Sequence, residues 1–231
     1  MNQFNPYQSP AVHARPGLVE ARAQFITRTY GHLFGAIAAF TALEVFLFKS
    51  GIAYALFPLF RSWILVLGAF MVGSWVATHF AQSARSKASQ YFGLALYVVL
   101  QAVIFIPLLA IAESKGPGVI ASAAGVTLAG FAGLTAVAFI TRKDFSFLRG
   151  FLLWGGVVVM LLIFAALIFG FQLGVFFSVA MVAFAGAAIL YDTSNVLHHY
   201  PTDRYVGASL HLFASVALMF WYVLRIFNSR N

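Results

Sequence analysis

Residues 173–197, LGVFFSVAMVAFAGAAILYDTSNVL, form one unbroken run of 25 residues with a single charge, Asp192, near its end. A soluble helix would show a polar stripe along one face. This segment has none, and it is long enough to cross a bilayer, which takes about 20 apolar residues. The run therefore reads as a membrane span, and the aspartate inside it needs a reason to be there.

The rest of the chain agrees with that reading. Of 231 residues, 62% are hydrophobic and only 9% are charged, with a mean hydropathy of +0.91. Globular domains carry about 25% charged residues, so the polar residues here are too few to cover a water-facing exterior. By the same length criterion the chain divides into seven spans, at 26–48, 54–82, 91–112, 118–140, 149–171, 173–197 and 205–228. The predicted fold is an all-α integral membrane bundle over residues 25–231, with the lipid bilayer as its first partner. Residues 1–24, polar and rich in Pro, Gln and Asn, lack the short apolar core of a signal peptide and read as a mobile tail.

The formal net charge is +8 and the pI near 10.1. Such a balance in a soluble protein would suggest nucleic acid, but no basic patch here is interleaved with aromatics. The cations instead sort by side. With the N-terminus in the cytoplasm, Arg15, Arg22, Arg28, Arg85, Lys87, Arg142, Lys143, Arg149 and Arg204 fall inside, and Lys49, Arg61 and Lys115 outside. That is the positive-inside bias of a multi-pass protein of the inner (cytoplasmic) membrane. Arg225 and Arg230 fit an outside end poorly, which leaves open whether the last segment spans or re-enters.

Several activities are excluded. Cysteine is absent, which removes disulfides, thiolate metal sites and Cys nucleophiles. All four lysines fall in predicted loops, so none can hold retinal as a Schiff base. No P-loop, HExxH or dinucleotide fingerprint is present. Ser215 stands one turn after His211, but two residues of one helix rarely reach attack geometry and no GxSxG elbow accompanies them. His198, His199 and Asp203 form a poor metal set for want of an acidic cluster. The chain is expected not to be an enzyme and to need no cofactor, a calcium ion being the one candidate ligand.

A charge near the bilayer centre costs about 2.5–3.5 kcal/mol, so polar residues at membrane depth are the candidates for function. They are Glu44, His79, Gln101, Asp192 and His211, with His32 and Ser215 beside them. Asp192 leads the set, because a negative charge near a helix C-terminus opposes the helix dipole and calls for a partner. His211 can carry a proton switch near neutral pH. Glu44, a turn from Lys49, reads as a side chain that reaches up to the interface or, alternatively, as a buried cation ligand.

Four stretches, RTYGHLFGAIA (28–38), PLLAIA (107–112), RKDFSFLRGFL (142–152) and ILYDTSNVLHHYPTDRYVGASLHLF (189–213), resemble the Bax-inhibitor (TMBIM) superfamily, and in particular its bacterial YccA-like branch. The resemblance implies six helices around a central, less hydrophobic seventh. It further implies a pH-sensitive calcium leak gated by an aspartate pair late in the sixth and within the seventh helix, with an arginine latch at the end of the second. For the YccA-like branch it implies restraint of a membrane-bound AAA protease. Asp192 takes the sixth-helix position and Arg85 falls near the latch. The second aspartate is absent: the family's LYLD stands here as LFAS, with Ser215 at the acidic position, and Leu218 replaces an asparagine. A lone carboxylate loses the shared-proton mechanism, since only two close carboxylates force one pKa upward. The expectation is therefore a cation leak, for calcium or proton, with Asp192, Arg85, His211 and Ser215 at its gate. The alternative is a regulatory partner of a membrane protease, for which the N-terminal tail would be the working element.

Overall fold

The computed structural model describes residues 16–83 and 86–229. Among them every regular element is helical. Helix α1 (Pro16–Lys49) begins on a proline, whose fixed φ suits the first helical position where no N–H is needed. Residues 16–24, expected to belong to the tail, are thus the first turns of this helix. The chain then turns at Gly51 into a short helix α2 (Ile52–Ala55) and a 3-10 turn (Phe57–Arg61). This corrects the expected span 54–82, whose membrane-crossing part is only α3 (Trp63–Ala81). Pro58 and the Arg61–Ser62 pair break the helix, and the apolar residues around them hid the break. Those residues instead fold back on the end of the bundle where α1 stops, and there Leu47, Ala53, Ala102 and Ile106 form a small core of their own.

Five longer helices follow. They are α4 (Lys87–Lys115), α5 (Val119–Thr141), α6 (Leu148–Phe169) and α7 (Val175–His198), and the last is α8 (Tyr205–Ser229). Together with α1 and α3 they make seven helices long and apolar enough to cross a membrane. Lysines 49, 87 and 115 are terminal residues of α1 and α4 rather than loop residues, while Lys143 does lie in a loop.

Helix α8 is the axis of the bundle. It packs against α7, α1, α4 and α5, and more lightly against α3. Small residues make this possible: Gly207, Ala208, Ser209, Ser215 and Ala217 are all buried along it. In lipid, where apolar surface gains nothing by leaving the solvent, such close packing supplies much of the association energy. Helix α4 shares the centre, with Tyr97, Val98, Gln101, Phe105 and Leu109 buried. By contrast α6 contributes no buried residue and leans mainly on α7.

The C-terminal end of α3 is wedged between α4 and α8 through two glycines. A Cβ on Gly93 would stand 2.4 Å from both the Ala77 carbonyl oxygen and the Ala81 nitrogen. One on Gly207 would stand 2.7 Å from the Ala81 carbonyl oxygen and 3.0 Å from the Gln82 amide. Only a residue without a side chain lets the three backbones meet there.

Helix α8 also settles the path of the last segment. It is continuous for 25 residues, about 37 Å at 1.5 Å per residue. Near its C-terminus Arg225 donates to the Leu173 carbonyl in the α6–α7 turn (2.6 Å), and Asn228 donates to the Leu108 carbonyl of α4 (3.3 Å). The segment runs the length of the bundle beside the other six long helices and does not turn back. Arg225 is accommodated at the far end by a backbone carbonyl.

Candidate functional site

Six residues before its end, about 9 Å along the axis, α7 carries Asp192 into the bundle. The residue is only 7% exposed. Its Oδ2 accepts a hydrogen bond from Ser215 Oγ of α8 at 2.5 Å, the length range of a charge-assisted O–H···O⁻ bond. The position where the resemblance implies a second acid is therefore in direct contact with the first, through a hydroxyl. His211, one turn earlier on α8, lies within electrostatic reach of the same carboxylate, as do Tyr97 and Tyr200.

The sequence reading missed two members of this cluster. Gln82, just past the end of α3, places its Nε2 3.2 Å from His211 Nε2 and donates to the Tyr200 hydroxyl at 3.1 Å. The Tyr200 ring stands edge-on to the imidazole, with centroids 6.2 Å apart. The amide and the imidazole thus meet at hydrogen-bond distance, nitrogen to nitrogen. Protonation would place two donors face to face, so the charged histidine requires the amide to turn over and present its oxygen. Nothing in the local sequence marks Gln82; only the wedge at Gly93 and Gly207 brings it here. Burial pushes the Tyr200 hydroxyl pKa upward, so it stays protonated and can serve as donor or acceptor. Arg22 of α1 secures the strand of chain behind it, donating to the Tyr200 carbonyl at 2.7 Å and to that of Val196 at 3.4 Å. That satisfies carbonyls at the end of α7 and sets a positive charge against its dipole.

On the opposite side Ser215 faces a cavity of about 620 Å³ between α3, α4, α6 and α8. Gln101, Tyr97 and Ser215 form its polar inner end, and Arg225 and Gln172 its outer end. Gln101 is buried and donates to the Tyr97 hydroxyl at 3.1 Å. Ser215 thus stands between this cavity and Asp192.

The remaining candidates are elsewhere. Arg85, the expected latch, lies outside the described residues. His79 is exposed at the end of α3 and stacks on Trp75. His32 bonds the Arg28 carbonyl (2.7 Å) and the Tyr91 hydroxyl (3.0 Å), away from Asp192. Glu44 does not reach up to the interface: it is 6% exposed, and neither carboxylate oxygen has a hydrogen-bond partner. It lines a second cavity, of about 330 Å³, with Glu113 and Thr127 among α1, α4, α5 and α8.

A further polar cluster joins the α5–α6 loop to the end of α7. Asp144 Oδ2 meets His199 Nε2 at 2.9 Å, Asp144 Oδ1 accepts from the Ser146 amide at 2.9 Å, and Ser194 Oγ accepts from the Phe145 amide at 2.9 Å. The amide bond from Ser146, with help from His199, holds the Asp144 carboxyl below its ordinary range. The KDFSFL motif is thus a loop latch. His199 turns to Asp144 rather than to Asp203, and no group of three metal-ligating side chains forms among the described residues.

Comparison with known proteins agrees with this architecture. Bax inhibitor 1 of Schizosaccharomyces pombe is 27% identical over 208 residues, covering 89% of this chain and 76% of the yeast protein. The modulator of FtsH protease YccA of Escherichia coli is 36% identical over 129 residues, 54% of this chain and 58% of its own. An uncharacterized protein of Pseudomonas aeruginosa is 38% identical over 117 residues, 49% of this chain and 51% of its own. The chain thus spans about half the length of the bacterial relatives it matches. The family described as inhibitor of apoptosis-promoting Bax1 matches residues 22–231, and the chain, a multi-pass membrane protein, belongs to that family.

Proposed function

We propose that the protein is a pH-sensitive cation leak of the membrane, gated at Asp192, and that its ion is the proton rather than calcium. The observation that carries this reading is the Ser215 hydroxyl, which faces the 620 Å³ cavity and donates to the buried Asp192. Beyond Asp192 the polar chain continues through His211, Gln82 and Tyr200 toward the cytoplasmic end. Ser215, Asp192, His211 and Tyr200 each carry or accept an exchangeable proton, and the Gln82 amide links the last two by hydrogen bonds. Calcium fits less well, because it takes six to eight oxygen ligands and favours several carboxylates. One carboxylate and a few hydroxyls stand here, and Arg225 lines the outer cavity. Arg85 keeps the role of latch against Asp192, and the N-terminus is placed in the cytoplasm, as the charge distribution asks.

The test uses the full chain in liposomes, with a pH-sensitive dye inside, an imposed potential and external pH from 5 to 8. Native protein is expected to pass protons faster than empty vesicles. Asp192→Asn should change that rate at least tenfold, and His211→Ala should remove its pH dependence. Equal rates for native and empty vesicles would end the proposal. A calcium dye run in parallel, reporting calcium flux through the native protein, would overturn the choice of ion.

A second reading is favoured by the name of the Escherichia coli relative, a modulator of a membrane protease. The chain would then bind a membrane-anchored AAA protease through its cytoplasmic face. Removal of residues 1–15, which leaves α1 whole, should weaken co-purification with such a protease while leaving proton flux unchanged. Undiminished co-purification would detach the tail from that role.

A further inference from the structure

The outer half of the 620 Å³ cavity has walls of a different character from its polar floor. Leu67 and Phe70 of α3, Ile163 and Leu167 of α6, and Leu218 and Trp221 of α8 line it, and all six are only half-buried. Their spacings of three and four residues mean that each helix turns one face toward the same space. Helix α6 buries nothing of its own, so this face is not filled by protein. The volume lies within the range of about 300–1,000 Å³ usual for small-molecule sites.

One end of this apolar channel carries a cation. Arg225 lines the cavity, half-buried, and its guanidinium donates to the Leu173 carbonyl at 2.6 Å. It has no acidic partner among the described residues. A guanidinium has five donors in a planar fork that matches a carboxylate through two parallel hydrogen bonds. Gln172, in the α6–α7 turn above it, adds an amide to the same mouth. From Arg225 to Ser215 the axis runs ten residues, about 15 Å. That is the reach of one medium-length alkyl chain ending at the polar floor of Gln101 and Ser215. The turn Phe171–Leu173 overhangs the mouth, which suits a compact head better than a glycerol-linked pair of chains.

We propose that this groove binds a medium-chain fatty-acid anion, its carboxylate on Arg225 and Gln172 and its chain between α3, α6 and α8. The site stands independently of whether the inner cavity conducts, and its test measures binding alone.

Native protein is placed in nanodiscs of phosphatidylcholine at pH 8 and titrated with carbon-14 dodecanoate. Saturable binding of one molecule per chain, above that of empty nanodiscs, is expected. Methyl dodecanoate, with the same chain and no charge, should compete at least tenfold more weakly on the native protein. Arg225→Gln should lower dodecanoate affinity at least tenfold, and Leu218→Trp, which fills the channel, should do the same with the head site intact. The proposal is overturned if binding does not exceed that of empty nanodiscs, if the ester competes as well as the acid, or if Arg225→Gln binds normally. Retention of a two-chain phospholipid that dodecanoate fails to displace would overturn it in favour of that other occupant.

Discussion

At the scale of single residues the decisive feature is a serine, Ser215, beside Asp192 at the position where the resemblance implies a second acid. Ser215 keeps contact with Asp192 but supplies a donor in place of a charge. A hydroxyl stabilises the ionised carboxylate, whereas a second carboxylate would oppose it. Ser215→Asp should therefore create a proton-sharing pair and give proton flux a new pH transition, detectable as a second step in the rate between pH 5 and 8. An unchanged pH profile would mean that the two side chains do not approach in the working protein. Ser215→Ala removes the donor without adding charge. Loss of a hydrogen bond to a buried charged group costs about 1.5–3 kcal/mol, and the unfolding midpoint should fall accordingly. If the midpoint is unaffected, the bond at 2.5 Å contributes nothing net to the fold.

At the scale of elements, the helices are held by close backbone approach and by polar links, of which the Asp144 latch is one. Gly93→Ala and Gly207→Ala each drive a methyl into the backbone of α3, and overpacking of this kind costs about 1–3 kcal/mol. Gly150→Ala, with open space around its Cβ position, should be neutral or slightly stabilising. Thermal unfolding of the three variants separates the cases, and equal midpoints would refute the wedge. Gly207→Ala should also displace Gln82 from His211, so its proton flux should lose pH dependence even where folding survives. The latch behaves differently. Asp144 has a carboxyl pKa lowered in the folded protein, chiefly by the Ser146 amide. A lowered folded pKa contributes stability that is present above the unfolded value and lost as pH falls through the folded one. Exchange of the Ser146 amide hydrogen, corrected for its intrinsic rate, should rise below about pH 4. Asp144→Asn should abolish that dependence. These contacts mark what was legible in the sequence. The spans were, because length and hydropathy alone decide them. The break at Pro58 was not, because its neighbours are apolar. Asp192 was legible as a lone charge in a span, but Gln82 was not, because its meaning comes from a helix crossing between residues more than 100 apart. The RKDFSFL stretch was visible only through resemblance, its latch chemistry depending on His199 and Ser194 from another helix.

At the scale of the whole molecule, the long apolar helices of the described residues number seven, so crossings by all of them would put Pro16 and Ser229 on opposite sides of the membrane. Even the awkward cations fit this count. Arg225 lies at the end opposite the positive cluster, but its hydrogen bond to Leu173 and its place at a cavity mouth give it a local reason to be there. The clusters at Arg142, Lys143 and Arg149, with Arg22, Arg28, Lys87 and Arg204, share the other face, the one that the positive-inside rule would turn to the cytoplasm. The absence of cysteine makes that orientation directly measurable, because any thiol introduced is the only one. Lys143→Cys, in the exposed α5–α6 loop, and Lys115→Cys, at the far end of α4, bracket the bilayer. In intact cells a membrane-impermeant maleimide should label Lys115→Cys and spare Lys143→Cys until the membrane is opened. Ser229→Cys, at the end of α8, should then label with Lys115→Cys, since the two helix ends lie on one side. The reverse pattern would invert the protein and place the Asp192 gate at the outer face. Labelling of Ser229→Cys together with Lys143→Cys would mean that α8 does not cross, and the cavity reaching Ser215 would then have no far side to connect.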